Sequence, residues 1–203
     1  MSFNFHQKPW QHATYDNFLC QEDYLKILDI SKGIKVASTE KIFFSHKIRK
    51  GKIEESNIFD NDFLMHLYSK YSSTVLSYLD LHNSWKKFFY DYADISLQIN
   101  GPDFEDKIHL DVPRKLVSGV VYLNSSKPQL GTLIYDKYGN PDSESITEWK
   151  DNRAMFFSRS AFSYHSYKGN GKSQRVTLIY NLCTDKKWLI KKLDYINNLF
   201  LKN

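Results

Sequence analysis

Cysteine is scarce in this 203-residue sequence: Cys20 and Cys183 are its two thiols. That is too few for a disulfide framework or a cysteine metal cluster, and it favours a reducing compartment. No run approaches the roughly 18 apolar residues of a membrane span. Residues 1–10 are polar and lack the apolar stretch of a secretory signal. The expectation is a cytoplasmic protein with no membrane partner. Charge of one sign is also in short supply. Lys and Arg number 28 against 23 Asp and Glu, a net +5, which is not by itself a nucleic-acid footprint. There is no internal repeat and no low-complexity tract. What is abundant is aromatic: 14 Tyr and 14 Phe bring the aromatic fraction to 16%, and such residues favour pleated sheet. With 41% hydrophobic and 25% charged residues, the sequence reads as one globular domain, 1–203.

The pattern divides that domain into a helical part (1–93), a β core (94–183) and a C-terminal helix (184–203). Residues 8–19 look extended. Tyr24, Leu25, Ile27, Leu28 and Ile30 recur near the 3.6 period, which predicts a helix over 21–32 stopped at Gly33. Segments 36–39 and 41–48 can be strands, followed by a basic stretch, 46–52, that suits a solvated loop. Phe63, Leu64, Leu67, Tyr68, Tyr71, Val75, Leu76, Tyr78, Leu79 and Leu81 predict one long helix or two close ones over 61–90. Seven short strand-like segments follow, at 95–100, 108–112, 115–124, 131–136, 153–158, 164–168 and 175–182, separated by turns such as Ser125–Pro128 and Gly169-Asn170-Gly171. Strands in succession without helices between them indicate an antiparallel sandwich, jelly roll or barrel. An amphipathic helix over 185–202 ends the sequence, with Trp188, Leu189, Leu193, Ile196, Leu199 and Phe200 near one face.

Chemistry concentrates on the β core. His109 and Asp111 are two residues apart on a predicted strand, so they share a face. His165 lies on another strand. Two imidazoles and one carboxylate leave three positions open on an octahedral ion, the facial triad of non-haem Fe(II) sites. A His-x-Asp pair is also an ordinary strand-surface pair, so the motif alone is weak. Arg175 sharpens it. A hairpin across the Gly169-Asn170-Gly171 turn would set Arg175 beside the strand of His165, and Thr177 shares its face. A guanidinium fork and a hydroxyl suit one end of a dicarboxylate whose other end reaches a metal.

Together these residues resemble the Fe(II)/2-oxoglutarate dioxygenases, on the prolyl 4-hydroxylase-like side. The matching features run in order: Trp10-Gln11-His12 and Tyr15-Asp16-Asn17-Phe18-Leu19 before a helix, Ser96-Leu97-Gln98-Ile99-Asn100, His109-Leu110-Asp111, Gly119-Val120-Val121-Tyr122-Leu123-Asn124, Gly131-Thr132-Leu133, and His165 followed by Arg175-Val176-Thr177. The resemblance implies a double-stranded β-helix (a cupin-like jelly roll with a mainly β core, α+β in class) flanked by N-terminal helices and a C-terminal helix. It implies Fe(II) on His109, Asp111 and His165. It implies 2-oxoglutarate held by Arg175, Thr177, Tyr122 and Asn100. With O2, and ascorbate as accessory reductant, such an enzyme hydroxylates a peptide or small-molecule substrate and releases succinate and CO2.

Two departures stand out. One glycine, Gly131, is kept where the family commonly has two, because residue 130 is Leu. Asn181 stands where the nucleobase dealkylases carry a second arginine, which with the mild charge counts against nucleic acid. Two other readings remain open on the sequence: a non-catalytic jelly-roll ligand-binding module, and a nucleic-acid-acting oxygenase using Lys47, Arg49, Lys50, Lys52 and Lys186, Lys187, Lys191, Lys192. Segments 34–56 and 137–152, with Trp149 and Arg153, are candidate substrate-facing elements.

Overall fold

The computed structural model describes residues 2–123 and 131–200, with the side chains of 195–200 left aside. Asn124, the Ser125–Pro128 turn and Leu130 lie outside the described residues, as do the side chains of Ile196, Leu199 and Phe200. In sequence order the elements are β1 (Asn4–His6), β2 (His12–Tyr15), α1 (Gln21–Lys32), β3 (Lys41–Arg49), β4 (Lys52–Glu55), α2 (Asn61–Asn83) and a 3-10 helix (Ser84–Phe89). Then come β5 (Tyr92–Asn100), β6 (Glu105–His109), β7 (Lys115–Tyr122), β8 (Thr132–Ile134), β9 (Ser145–Thr147), β10 (Ala154–Phe157), β11 (His165–Lys168), β12 (Arg175–Cys183) and α3 (Lys187–Phe200).

The strands form two antiparallel sheets. The large one runs β1-β2-β10-β7-β12-β5-β3-β4 and the small one β6-β11-β8-β9. The segment before residue 94 is therefore not only helical, since it supplies four strands to the large sheet. Period-two alternation decides what each face does. On β12, Val176, Leu178, Tyr180 and Leu182 point to one side, and on β5 so do Ala93, Ile95, Leu97 and Ile99. These pack with Leu64, Leu67, Tyr71, Val75, Tyr78 and Leu79 of α2 into the main core. The α2 residues recur three and four apart, which gives one continuous apolar stripe. Asp60 caps this helix by accepting a hydrogen bond from the Phe63 amide at 2.7 Å, which satisfies one of its free N–H groups. The opposite faces of β5 and β12 look into the space between the two sheets.

Some apolar positions do not do what the periodicity implies. Leu25 (52% exposed), Leu81 (64%) and Trp188 (69%) stay in water. Segment 36–39 is a turn rather than a strand. The basic stretch 46–52 is not a solvated loop but the β3–β4 hairpin, and two of its cations are paired at home: Lys47 with Glu54 at 2.9 Å, and Arg49 with Glu54 at 2.6 Å and Asp185 at 2.7 Å. No helix is long and apolar enough to cross a membrane.

His46 is completely buried. Its Nδ1 faces the Ile95 carbonyl at 2.9 Å and its Nε2 accepts from the Phe59 amide at 3.2 Å. This arrangement needs the neutral ring, and burial lowers its pKa below the usual imidazole value. Burial also lowers those of His12 and His82. A depressed folded-state pKa means that the unfolded protein binds protons first as pH falls. Stability present above the unfolded imidazole value is then lost below it, at up to about 1.4 kcal/mol per pH unit for each such group. The urea midpoint should be lower near about pH 5.5 than near about pH 7.5. An unchanged midpoint would mean that these rings are not held neutral.

Candidate metal and cosubstrate site

His109 ends β6 and His165 begins β11, and the two are direct partners across the small sheet. Their rings lie 4.4 Å apart. Asp111 is not on the strand: β6 stops at His109, because Pro113 has no N–H to continue a ladder and a Val112–Lys115 turn follows (Lys115 N–H to Val112 O, 3.1 Å). The turn still delivers the carboxylate. One ligand atom from each of His109, Asp111 and His165 lies within 4.8 Å of the others.

Second partners set the chemistry of these three groups. His109 Nδ1 lies 2.8 Å from the Lys107 carbonyl and His165 Nδ1 lies 2.9 Å from the Ser163 carbonyl. A carbonyl only accepts, so each Nδ1 carries the proton and each Nε2 keeps its lone pair for a metal. Burial lowers the pKa of His165, with the Asp111 carboxylate opposing, so the ring stays neutral. Asp111 is buried, which alone would raise its pKa. The Lys115 ammonium and the Ser118 hydroxyl outweigh burial and hold it at about 2. Lys115 Nζ donates to Oδ1 at 2.6 Å and Ser118 Oγ to Oδ2 at 2.5 Å. Behind it, Arg159 Nε donates to the Asp111 carbonyl at 3.3 Å, and the same guanidinium pairs with Asp194 of α3, which also binds the buried Lys86 at 3.3 Å. Two neutral imidazoles and one anion suit a ferrous ion. Ser118→Ala should weaken metal affinity about 10–100-fold, as lost partners of ligands do. Isothermal titration with Fe(II) or Mn(II) measures it, and an unchanged affinity would remove Ser118 from the site.

The other functional group comes from the large sheet. Arg175 starts β12, but β12 does not form a hairpin with β11. It pairs with β5 and β7, while β11 pairs with β6 and β8. The turn between β11 and β12 is bound instead by residues 101–104: Gly169 N–H donates to Phe104 O at 2.9 Å and Gly171 N–H to Pro102 O at 2.9 Å. The backbone therefore crosses from one sheet to the other, and Arg175 meets the triad across the interior. His109, Asp111, His165 and Arg175 line one cavity of about 510 Å³.

Arg175 is 5% exposed. Among the described residues it has no ion-pair partner, and its Nε has no hydrogen bond. Aromatic faces surround it: the guanidinium carbon is 3.8 Å from the Tyr167 ring centroid, 5.7 Å from Trp149 and 5.9 Å from Tyr122. Such faces only partly offset a buried cation. Around it, further polar atoms lack partners: Thr177 Oγ1 and Asn100 Nδ2 are both buried and unbonded. Asn100 is the direct β5 partner of Arg175, and Thr177 is the partner of Gln98 and Tyr122. These four predicted positions thus form one patch on the inner face. Only Arg175 among them reaches the open cavity. The Tyr122 hydroxyl is already engaged, accepting from the Thr132 amide at 3.2 Å and sharing a proton with Thr132 Oγ1 at 2.9 Å.

Of the candidate substrate elements, Lys41, Phe43 and Ser45 line the cavity. Trp149 stacks on Tyr122 at 4.5 Å and so backs the Arg175 end. Arg153 does not contribute to the cavity. It clamps its loop to Asp16 at 2.6 Å and to Glu148 at 3.3 Å, because those carboxylates lie closer to its strand end. Gly131 is required by packing: a Cβ there would run into the Thr147 carbonyl. Tyr167, Ser118, Lys115 and Arg159 were not foreseen. Tyr167 lies two residues beyond His165 on β11, and that spacing is the signal that could have found it. The others are joined to the site only by tertiary contacts.

No family model matches the sequence, and no curated protein matches it. Solved structures do match. A prolyl-4-hydroxylase from Pseudomonas putida superposes with a TM-score of 0.59 at 14% identity, over 85% of this protein and 92% of its own length. A viral collagen prolyl hydroxylase from Paramecium bursaria Chlorella virus-1, solved as a 2-oxoglutarate complex, gives 0.54 at 15% identity, over 85% and 95%. The fold is that of the prolyl hydroxylases. A third member, a prolyl hydroxylase from Trichoplax adhaerens in complex with a hypoxia-inducible-factor peptide fragment, gives 0.51 at 13% identity, over 87% and 84%. In this prolyl hydroxylase fold the two-sheet jelly roll brings the two histidines, Asp111 and Arg175 to one cavity between the sheets.

Proposed function

We propose that the protein is an Fe(II)- and 2-oxoglutarate-dependent dioxygenase that hydroxylates a peptidyl proline or a small molecule and releases succinate and CO2. One observation carries the reading: a buried arginine without a counter-ion shares a cavity with a His-Asp-His group whose histidine lone pairs are free. A dicarboxylate with a metal-chelating end satisfies both at once. His109, Asp111 and His165 hold the ferrous ion. Arg175 grips the distal carboxylate of 2-oxoglutarate, and Thr177, Asn100 and Tyr122 form the wall behind it, the unbonded Thr177 Oγ1 and Asn100 Nδ2 being the next donors should the ligand reach past Arg175. Bound together there, iron and 2-oxoglutarate supply the activation of O2 that breaks a substrate C–H bond. The protein's own work is positional. Lys107 and Ser163 carbonyls fix the imidazole tautomers, Ser118 and Lys115 keep Asp111 ionised, and the aromatic ring around Arg175 excludes water.

A peptide substrate follows the pattern of the Trichoplax enzyme. Ascorbate serves to keep the iron reduced, which accords with the reducing cytoplasm that two free thiols favour. A nucleic-acid substrate is disfavoured because Lys47 and Arg49 of the basic hairpin are already paired with acids. The test is direct. Purified protein supplied with Fe(II), O2 and 2-oxoglutarate should form succinate, and His109→Ala should not. Equal succinate from both, or none from the wild-type protein across peptides and small molecules, refutes the assignment. The binding-module alternative predicts no succinate under any condition.

A further inference from the structure

The cavity extends past the metal ligands along the inner faces of β3, β5 and β12, and its wall there has a character that the oxygenase reading does not use. Asp94 on β5 is the direct partner of Asn181 on β12, and Asn181 is the partner of Ser118 on β7. The three therefore form one row across the inner face. Ser118 is bonded to Asp111, so Asp94 lies two strand spacings, roughly 10 Å, from the strand that supports the metal carboxylate. Asp94 receives two hydroxyls, from Ser45 at 3.0 Å and Ser96 at 2.7 Å, both on Oδ1. Among the described residues no cation is within ion-pair distance of it. Lys47, its partner on β3, turns instead to Glu54.

Asn181 adds an independent sign of a ligand. It lines the cavity and is 3% exposed, yet its side-chain oxygen has no donor, a deficit that a ligand N–H removes. Beyond Asn181 on β12, where the Thr184 amide donates to the Arg114 carbonyl, Arg114 stands exposed at the rim, and Val120 and Ile179, paired one row nearer Arg175, form apolar wall with Phe157. The site thus offers acceptors for a cation, a guanidinium for an anion, and apolar surface for a short hydrocarbon. Resting on the oxygenase reading above, we propose that the substrate is a free aliphatic α-amino acid. Its ammonium sits on Asp94 and Asn181, and its carboxylate on Arg114. A residue within a peptide lacks both charges and would leave Asp94 facing neutral amides.

The reaction balances as C–H + O2 + 2-oxoglutarate giving C–OH + succinate + CO2. One oxygen atom enters an aliphatic C–H bond of the amino acid and the other enters the new carboxylate of succinate.

The experiment measures succinate formed by the full-length protein with Fe(II), O2 and 2-oxoglutarate in the presence of L-leucine, L-isoleucine, L-valine or L-proline, and of the N-acetyl form of each. At least one free amino acid should raise turnover about tenfold or more above the substrate-free rate, and its N-acetyl form should not. For that amino acid, Asp94→Asn should raise KM by about tenfold or more, with Asp94→Glu restoring part of the loss. Thermal unfolding of each variant checks that it folds. Equal stimulation by free and acetylated forms overturns the proposal, as does a KM unmoved by Asp94→Asn. If none of the amino acids stimulates while substrate-free turnover of 2-oxoglutarate persists, the amino-acid proposal fails and the oxygenase reading stands. Complete absence of turnover overturns both.

Discussion

Arg175→Met should raise the apparent Kd for 2-oxoglutarate by a hundredfold or more, roughly the 2–5 kcal/mol that a buried, hydrogen-bonded charge pair loses when one partner is truncated. The same substitution should stabilise the ligand-free protein. Burial lowers the pKa of Arg175, which is the mark of an ion held against its hydration. Its guanidinium lies among the faces of Tyr167, Trp149 and Tyr122, and the Asp106 carboxylate, paired with Lys41, acts on it only from beyond ion-pair distance. Replacing a buried ion by an apolar side chain of similar length often gains about 1–4 kcal/mol, or several degrees of melting temperature for a protein of this length. The two effects have opposite signs, which separates a cosubstrate role from a structural one. An arginine that merely held the fold together would lower the melting temperature when removed. With saturating 2-oxoglutarate the order should invert, because only the wild-type protein is stabilised by mass action. Thermal unfolding of both proteins, with and without 2-oxoglutarate, gives all four values.

Asp111→Asn should abolish succinate formation, by more than about a thousandfold, exceeding the loss typical of removing a ligand's hydrogen-bonding partner. Asp111 is the single anion of the triad. Its two oxygens are held by donors, Lys115 and Ser118, and its pKa of about 2 keeps it ionised. An amide in its place presents an N–H to one of those donors and leaves the half-buried Lys115 without its charge partner. The loss should persist at raised Fe(II) if the anion is needed for chemistry as well as binding. Succinate measured over a range of Fe(II) concentrations checks this. Retention of more than about a tenth of the activity would place the reaction elsewhere.

Much of this was legible locally. The helix over 21–32 and the strands of the β core follow from 3.6- and 2-residue periods, because burial on one face is all that those elements require. His109, Asp111, His165 and Arg175 were legible as chemistry, since few residue types ligate iron or clamp a carboxylate. What failed was pairing. Arg175 was expected in a hairpin with the His165 strand, but the 169–171 turn is held by carbonyls of residues 102 and 104, a non-local choice that periodicity does not contain. Asp111 was expected on a strand, and Pro113 with its following turn removes it. The short strands β1 and β9, three residues each, are too brief to show a period. The Arg159–Asp194–Lys86 network behind Asp111 joins residues far apart in sequence, and no local pattern announces it.

An anaerobic titration of the protein with Fe(II) and 2-oxoglutarate tests the central claim most directly. A visible metal-to-ligand charge-transfer band should appear only when both are present. The band should be lost in His109→Ala, Asp111→Ala and His165→Ala, and should need far more 2-oxoglutarate in Arg175→Met. A wild-type protein that gives no band, or a band indifferent to those four residues, would contradict it.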